Sequence, residues 1–329
     1  MIDKLFIIEG DGNNPHRNLA LEAVLLKRLQ PGECYLYLWQ NKHTVVIGRN
    51  QNALAECHVQ QLEQDGGFLA RRLSGGGAVY HDLGNLNFTI IMNTDDFDIE
   101  KQTCVILKAV QLQGLKAEKN GRNDLTVEGK KFSGHAYYHH AGRSYHHGTV
   151  MMNVDMSQLP KYLNVSPLKL KAKGVQSVQS RVCNLTDLNP QISVAAMKES
   201  LREAFCEVYG LPVGELELTE ADRAFWRSEE AKMSAQEWLY GEAKVLDFSK
   251  EMRFDWGTVR MDYTLSGDKQ SVRELQLWTD GLDAEFLQEV PGLLQGCSME
   301  RDAILARLSM SDEANPRIAD DIAAMLLPA

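Results

Sequence analysis

The sequence predicts an α+β protein: a first domain built on a mixed or antiparallel sheet, then a small α+β C-terminal domain. Three observations carry this. Residues 33–92 hold several short β-type runs without the regular strand–helix alternation of a doubly wound fold. The composition changes near 241–250. Beyond that change, a pair of strand patterns and three helical patterns form a unit of about 80 residues, enough to fold as a domain. A chain of 329 residues suits two domains, with expected bounds 1–243 and 244–329.

The elements follow in order. Over 16–29, Leu19, Ala23 and Leu26 share a helical face with Ala20 and Val24, and Pro31-Gly32 ends the pattern. Strands are expected at 34–39, 44–47, 68–72, 77–80 and 86–92, then a helix from 99 to 113 closed by Gly114. Leu125-Thr126-Val127 and Lys130-Lys131-Phe132 flank a Glu128-Gly129 turn, which reads as a hairpin. Another strand is expected at 149–152. Residues 164–184 are polar, carry Lys169, Lys171, Lys173 and Arg181, and keep no period, as in a loop that little burial holds down. Ser193 is placed to cap a helix burying Met197, Leu201, Ala204, Phe205 and Val208, and Gly210 and Pro212 stop it. In the second domain Val259, Met261, Tyr263 and Leu265 alternate with polar residues, Ser266-Gly267-Asp268 turns the chain, and 272–278 returns. Helical patterns then cover 283–294, 298–308 and 317–327.

Composition excludes several classes of function. A net charge of −10 and no basic stripe argue against nucleic acid, whose affinity rests on neutralising phosphates. The start lacks the apolar core of a signal peptide, and no run approaches 18 apolar residues, so the expectation is a cytoplasmic protein without a membrane partner. The six cysteines are scattered, as for free thiols in a reducing compartment.

Three segments could carry chemistry. Arg71-Arg72-Leu73-Ser74-Gly75-Gly76-Gly77-Ala78-Val79-Tyr80-His81-Asp82 combines three glycines, whose amides can approach an anion, with two arginines suited to bidentate contacts. A plain turn would explain the glycines alone, but not the arginines with them. No G-x-x-x-x-G-K-[ST] exists, so any nucleotide needs another scaffold. Gly121-Arg122-Asn123-Asp124-Leu125, with Lys131 on the hairpin, offers a cation that can reach a cleft, although a lone hairpin lysine is ordinarily a surface group. Histidines 135, 139, 140, 146 and 147 form a crowd. Its adjacent pairs point to opposite faces of a strand, which spoils co-ligation, so no metal ligands are assigned.

The run Arg71 to Thr89, and Gly121 to Leu125 with Lys131-Phe132-Ser133-Gly134, closely resemble the lipoate–protein ligase A family. So do Asn18-Leu19-Ala20-Leu21-Glu22, Leu38-Trp39, Thr44 to Arg49, His147-Gly148-Thr149, Lys173-Gly174-Val175, Ser180-Arg181-Val182 and Leu294-Gln295-Gly296-Cys297, in the family's order over nearly the whole chain. The resemblance implies a catalytic domain shared with biotin–protein ligases and related to class II aminoacyl-tRNA synthetases. It implies activation of lipoic acid by ATP, with Mg²⁺ carried in by the nucleotide, to lipoyl-adenylate. Transfer follows to a lysine of a lipoyl domain, in 2-oxoacid dehydrogenase E2 subunits or the glycine-cleavage H protein. On the nucleotide side it implies Arg72, Gly77, Ala78, Val79, Tyr80, Asn123, Asp124 and Lys131. On the lipoate side it implies Lys131 again, with Ser74, Asn18, Glu22, Trp39 and Asn85. It also implies that 164–184 closes over the adenylate while the region near 241–250 serves as a hinge. His135 departs from the small or polar residue usual in the family, and Tyr138 follows Tyr137, so the rim of the acyl pocket is expected to differ.

Two alternatives remain. An ATP-independent octanoyl- or lipoyl-transferase of the same superfamily needs a cysteine nucleophile, and Lys173-Gly174 stands where its Cys-Gly would be. A non-catalytic lipoate- or nucleotide-binding module would not need Arg72, the glycine loop and Lys131 together. The Gly-Arg-Gly-Arg loop of biotin–protein ligases is absent.

Overall fold

The computed structural model describes residues 1–120, 124–164, 182–241 and 244–327. The expectations for Asn123, for most of the 164–184 loop and for part of the 241–250 hinge fall outside these residues.

Fourteen strands form three sheets among the described residues: β1 Lys4–Glu9, β2 Glu33–Trp39, β3 Thr44–Ile47, β4 Phe68–Arg71, β5 Val79–His81, β6 Asn85–Asn93, β7 Ala117–Asn120, β8 Asp124–Val127, β9 Lys130–His140, β10 Arg143–Met151, β11 Val213–Gly214, β12 Phe248–Arg253, β13 Thr258–Leu265 and β14 Val272–Thr279. The main sheet has the order β11-β1-β2-β6-β10-β9-β8-β7. It is parallel at β11, β1 and β2 and antiparallel from β2 onward. A small sheet, β4-β3-β5, and an antiparallel C-terminal one, β12-β13-β14, complete the set. The chain is therefore α+β with a mixed sheet, as expected.

Period-two alternation divides the main sheet into a core face and a site face. Cys34, Leu36 and Leu38 of β2 and Leu86, Phe88, Ile90 and Met92 of β6 join the core under the helices Ile99–Leu112 and Val194–Tyr209. Their neighbours Tyr35, Tyr37, Trp39 and Ile91, with Tyr145 of β10, pack against the helix Pro15–Arg28 on the other face. Asn87, Thr89 and His147 occupy the same phase on that face. Asn14 caps the helix Pro15–Arg28 by accepting from the His16 and Arg17 amides, and Pro15 suits the first turn. Ser193 caps the helix Val194–Tyr209 by accepting from the Ala196 amide at 3.1 Å.

The C-terminal sheet buries Val259, Met261 and Tyr263 against the helices Ala284–Leu294, Arg301–Leu308 and Pro316–Leu326, a core of its own. No helix among the described residues is long and apolar enough to cross a membrane.

Candidate active site

The glycine loop is built by close backbone approach. A Cβ on Gly48 would lie 2.2 Å from the Gly76 carbonyl oxygen, so the end of β3 can touch the loop only as glycine. Gly76 itself has φ +92°, in the left-handed region. Beneath the loop lies Arg72, 6% exposed. Its guanidinium donates to the carbonyls of Gly75 and Gly77, more weakly to that of Val46, and to the Ser74 hydroxyl. Burial pushes its pKa down to about 10. Arg72 therefore shapes the loop from below, and its charge raises the potential above it.

From Ser74 a buried chain crosses to the sheet. The Ser74 hydroxyl donates to His147 Nε2 at 2.7 Å, and His147 Nδ1–H donates to Glu22 Oε1 at 2.9 Å. Thr89 donates to the same carboxylate oxygen at 2.5 Å and accepts from Trp39 Nε1 at 3.0 Å. The Glu22 carboxyl, 1% exposed, stands at one end of this chain and the Arg72 guanidinium at the other. His147 and Thr89 join Ser74, Glu22 and Trp39 although neither was singled out as a pocket residue. The signal was strand phase: once Trp39 faces the helix Pro15–Arg28, alternation sends Thr89 and His147 the same way.

Around this chain stands an aromatic wall. Tyr37 and Trp39 stack at 5.8 Å, and Tyr145 lies 4.8 Å from the His147 ring. Three buried polar atoms on this wall, Asn87 Nδ2, His81 Nε2 and the Tyr145 hydroxyl, have no protein partner among the described residues. Such groups are rare in native interiors, and three on one wall mark a place for a ligand or water. His81 is neutral, since burial, Arg72 and His147 push it down to about 3.

Lys131 approaches from β9. Thr126 faces Lys131 while Leu125 faces Ser133, so Phe132 is the extra residue of a bulge. The bulge brings Lys131 to the side of Gly134, where a Cβ would lie 3.2 Å from its Cε and Nζ. Its ammonium pairs with Asp124 Oδ1 at 2.6 Å.

The remaining expected residues divide. Gly77, Ala78 and Val79 line the half-buried outer part of the loop. The Tyr80 ring turns away to stack on Tyr162 at 5.7 Å, and its backbone, in β5, lies opposite Val45 of β3. Asn18 ties the turn at Gly12 to Gln40 and Asn41 through its amide nitrogen. Asn85 donates to Asn87 at 2.9 Å, at the far end of the same wall. Arg71, adjacent to Arg72, is wholly engaged by five carbonyls elsewhere.

The C-terminal unit contacts this site directly. Gly76 N donates to Gly281 O at 3.0 Å, and a Cβ on Gly75 would lie 2.3 Å from that same oxygen. Thr279 N to Asn50 O, Asn50 Nδ2 to Ala284 O and Arg49 Nε to Gln288 Oε1 continue the seam.

Two family models match the chain: the lipoyl protein ligase A/B catalytic domain over residues 14–206, and the bacterial lipoate protein ligase C-terminus over 245–326. A curated lipoate-protein ligase A from Psychrobacter cryohalolentis is 38% identical, covering 98% of this chain and 98% of its own. The chain belongs to the lipoate–protein ligase A family. As a member of it, the chain is a ligase.

Solved structures of lipoate ligases share the fold. P. falciparum LipL1 in complex with lipoate matches with a TM-score of 0.85 at 25% identity, over 98% of this chain and 99% of that one. A lipoate-protein ligase A bound with ATP matches at 0.63 and 28%, over 73% and 99%. A bipartite lipoate protein ligase from Thermoplasma acidophilum, described with its E2 lipoyl domain, matches at 0.65 and 29%, over 75% and 100%.

One carboxyl in the ligase's seam gives it a pH dependence. Glu285 is buried within electrostatic reach of Arg49, Tyr138 and Tyr145, and Oε1 has no hydrogen-bond partner among the described residues. Burial pushes its pKa up to about 7 from an ordinary 4.5. The stability it confers is fully present below the unfolded value and is lost as pH rises through about 7. Asp283, also raised by burial, acts in the same direction, and His139, lowered by burial, opposes them. Between about pH 5 and about pH 8 the wild-type denaturation midpoint should fall more steeply than that of Glu285→Gln. Parallel curves for the two proteins would refute the assignment.

Proposed function

We propose that this ligase activates lipoic acid with ATP to lipoyl-adenylate, releasing pyrophosphate, and then passes the lipoyl group to a lysine ε-amine of an acceptor lipoyl domain. The observation that carries the reading is the Arg72–Ser74–His147–Glu22 chain. It joins an anion-suited glycine loop to an aromatic wall with unpaired polar atoms. Lipoate has an apolar ring and chain with one carboxylate, and the apolar surface of Trp39, Tyr145 and Val46 suits that chemistry. The relatives solved with lipoate and with ATP support the same two ligands, and the relative described with its E2 lipoyl domain supports the class of acceptor.

Carboxylate attack on the α-phosphate brings two anions together, so positioning and charge neutralisation do most of the work. Lys131 is the mobile cation for this step. In the free enzyme Asp124 holds it, and an arriving phosphate competes for the same ammonium. Arg72 contributes a fixed positive potential from beneath the loop, and Gly77, Ala78, Val79 and Tyr80 offer their backbone along its outer edge. Asn123 belongs on the nucleotide side by its place in the motif, and Asn18 and Asn85 hold the turns and strand that bound the aromatic wall.

No group of three or more His, Cys, Asp or Glu among the described residues is arranged to hold a metal. Asp124 is an oxygen donor beside Lys131, which fits a Mg²⁺ ion held chiefly by the nucleotide's own phosphates. When bound, the ion would add further neutralisation of phosphate charge. We further assign residues 1–243 to this chemistry and 244–329 to an accessory unit that seals the loop. The H protein is an equally suitable acceptor on chemical grounds.

A cysteine-dependent transfer has less support. Cys183 donates its amide to the Lys131 carbonyl, but its thiol is buried in the main core and its pKa is raised by that burial. Lipoate-dependent exchange of radiolabelled pyrophosphate into ATP is the deciding experiment. The ligase reading expects exchange that requires lipoate and no acceptor protein. Acyl transfer to a lipoyl domain without ATP would overturn it.

A further inference from the structure

Of the five histidines crowded between residues 135 and 147, only His147 belongs to the buried chain from Ser74 to Glu22. His135 and His146 face the opposite side of the sheet, against Phe88 at ring distances of 5.5 and 5.3 Å. The Gln102 side-chain nitrogen points at Met92 Sδ, 3.4 Å away, which turns its oxygen to His146 Nδ1 at 3.0 Å. An amide oxygen only accepts, so His146 carries its proton on Nδ1 and its Nε2 is a lone pair. That lone pair accepts from His135 Nδ1–H at 2.6 Å, and His135 Nε2 in turn accepts from the Ser133 hydroxyl at 2.9 Å. One carbonyl thus orients every proton in the chain. Both rings stay neutral, because burial pushes His135 down to about 3 and His146 well below its ordinary value.

Apolar side chains could fill this space without desolvating two imidazoles, so what the chain adds is direction: a hydrogen-bonded network has one geometry. Direction matters at this place. The pairing of β9 with β10 ends at His135 opposite Gly148. Lys131 lies four residues further out, on a stretch that pairs with β8 across the bulge and meets Val182 in one bridge. The bulge leaves Phe132 unopposed, and the side chain just beyond it, Ser133, is the one the histidines hold.

We propose that His135 is a positioning residue: through Ser133 and His146 it fixes the bulge in β9 and so aims the Lys131 ammonium over Gly134. The chain links the strand on the core face to the lysine on the site face.

The test uses the full-length protein with His135→Ala and His135→Asn. The amide N–H of asparagine can take the place of Nδ1–H toward His146. Two quantities are measured: kcat and KM in lipoate-dependent pyrophosphate exchange, and the rate at which an amine-reactive reagent labels Lys131, read by peptide mass spectrometry. Lys198, paired with Glu9, is the internal control for global unfolding. His135→Ala should lower kcat about tenfold while both KM values stay within about twofold. Lys131 labelling should rise severalfold with Lys198 unchanged, and His135→Asn should restore most of both. An unchanged kcat overturns the proposal, and so does a fall in kcat with wild-type labelling of Lys131. Should His135→Ala not fold, Ser133→Ala removes only the end of the chain and carries the same two readings. The activity arm rests on the ligase reading and the labelling arm does not. Absence of lipoate-dependent exchange in the wild type would therefore fail that reading while labelling still decides the role of His135.

Discussion

Lys131→Ala should lose lipoate-dependent pyrophosphate exchange by at least about 10²-fold and keep a near-normal denaturation midpoint. The two halves of this expectation have different causes. Lys131 and Asp124 are 35% and 46% exposed, and an exposed ion pair contributes only about 0–1 kcal/mol to stability. Removing it leaves no buried charge behind. The chemical step is affected far more, because two anions must meet there and Lys131 is the cation carried on a bulged strand toward them. Lys131→Arg should recover little. The guanidinium is planar and longer, and Gly134 leaves room for a compact head group 3.2 Å from its would-be Cβ position. Exchange by the alanine variant within about threefold of wild type would remove Lys131 from the chemistry and, with it, the ligase step as drawn.

Much of the fold was legible from local signals. Pro31-Gly32, Ser193 and Gly210 mark helix ends by chemistry that acts within a few residues, and the C-terminal ends of the expected helices lie within one or two positions of the observed ones. The helix Glu220–Ser234 was not expected, for a physical reason: it buries only Trp226 and Met233, too few to impose a period on a sequence rich in charge. The edge strand β12 is similar, since its side chains are largely exposed and leave no alternation to read. At the site, the glycine loop and the hairpin lysine were legible because each is a contiguous run. The chain from Ser74 to Glu22 was only partly so. Its members come from positions 22, 74, 89 and 147, and only strand pairing puts them in one phase. The contact of Gly281 with Gly76 had no local signal at all, because a backbone carbonyl has no sequence signature.

Arg71→Ala and Arg72→Ala should fail in different ways, although the two residues are adjacent and both are buried. Reading them as strand neighbours assigns them to opposite faces, and the structure gives each face a different job. Arg71 ends β4 and donates to the carbonyls of Gly48, Arg49, Gln51, Trp238 and Leu239 at 2.6–3.1 Å. In return its own carbonyl accepts from Trp238 Nε1 at 3.0 Å. It therefore ties the turn after β3 to the segment that follows the helix Glu220–Ser234. Removing the guanidinium strands several buried acceptors, each worth about 1–3 kcal/mol, so Arg71→Ala should lose at least about 3 kcal/mol of stability. Arg72 binds the carbonyls of Gly75 and Gly77, and Gly77 is half-buried, so water can replace part of what is lost. Its removal should cost less stability but release the loop and the Ser74 hydroxyl that leads to His147. For Arg72→Ala we expect kcat/KM for ATP to fall at least about 10²-fold, with Arg72→Lys little better because a point charge cannot replace the fork. Arg71→Ala, assayed at low temperature where it remains folded, should keep exchange within about tenfold of wild type. Urea denaturation and pyrophosphate exchange on the same preparations separate the two. If both variants lose stability and exchange in the same proportion, Arg72 is only a second anchor, and the positive potential beneath the loop would have no role in holding the nucleotide.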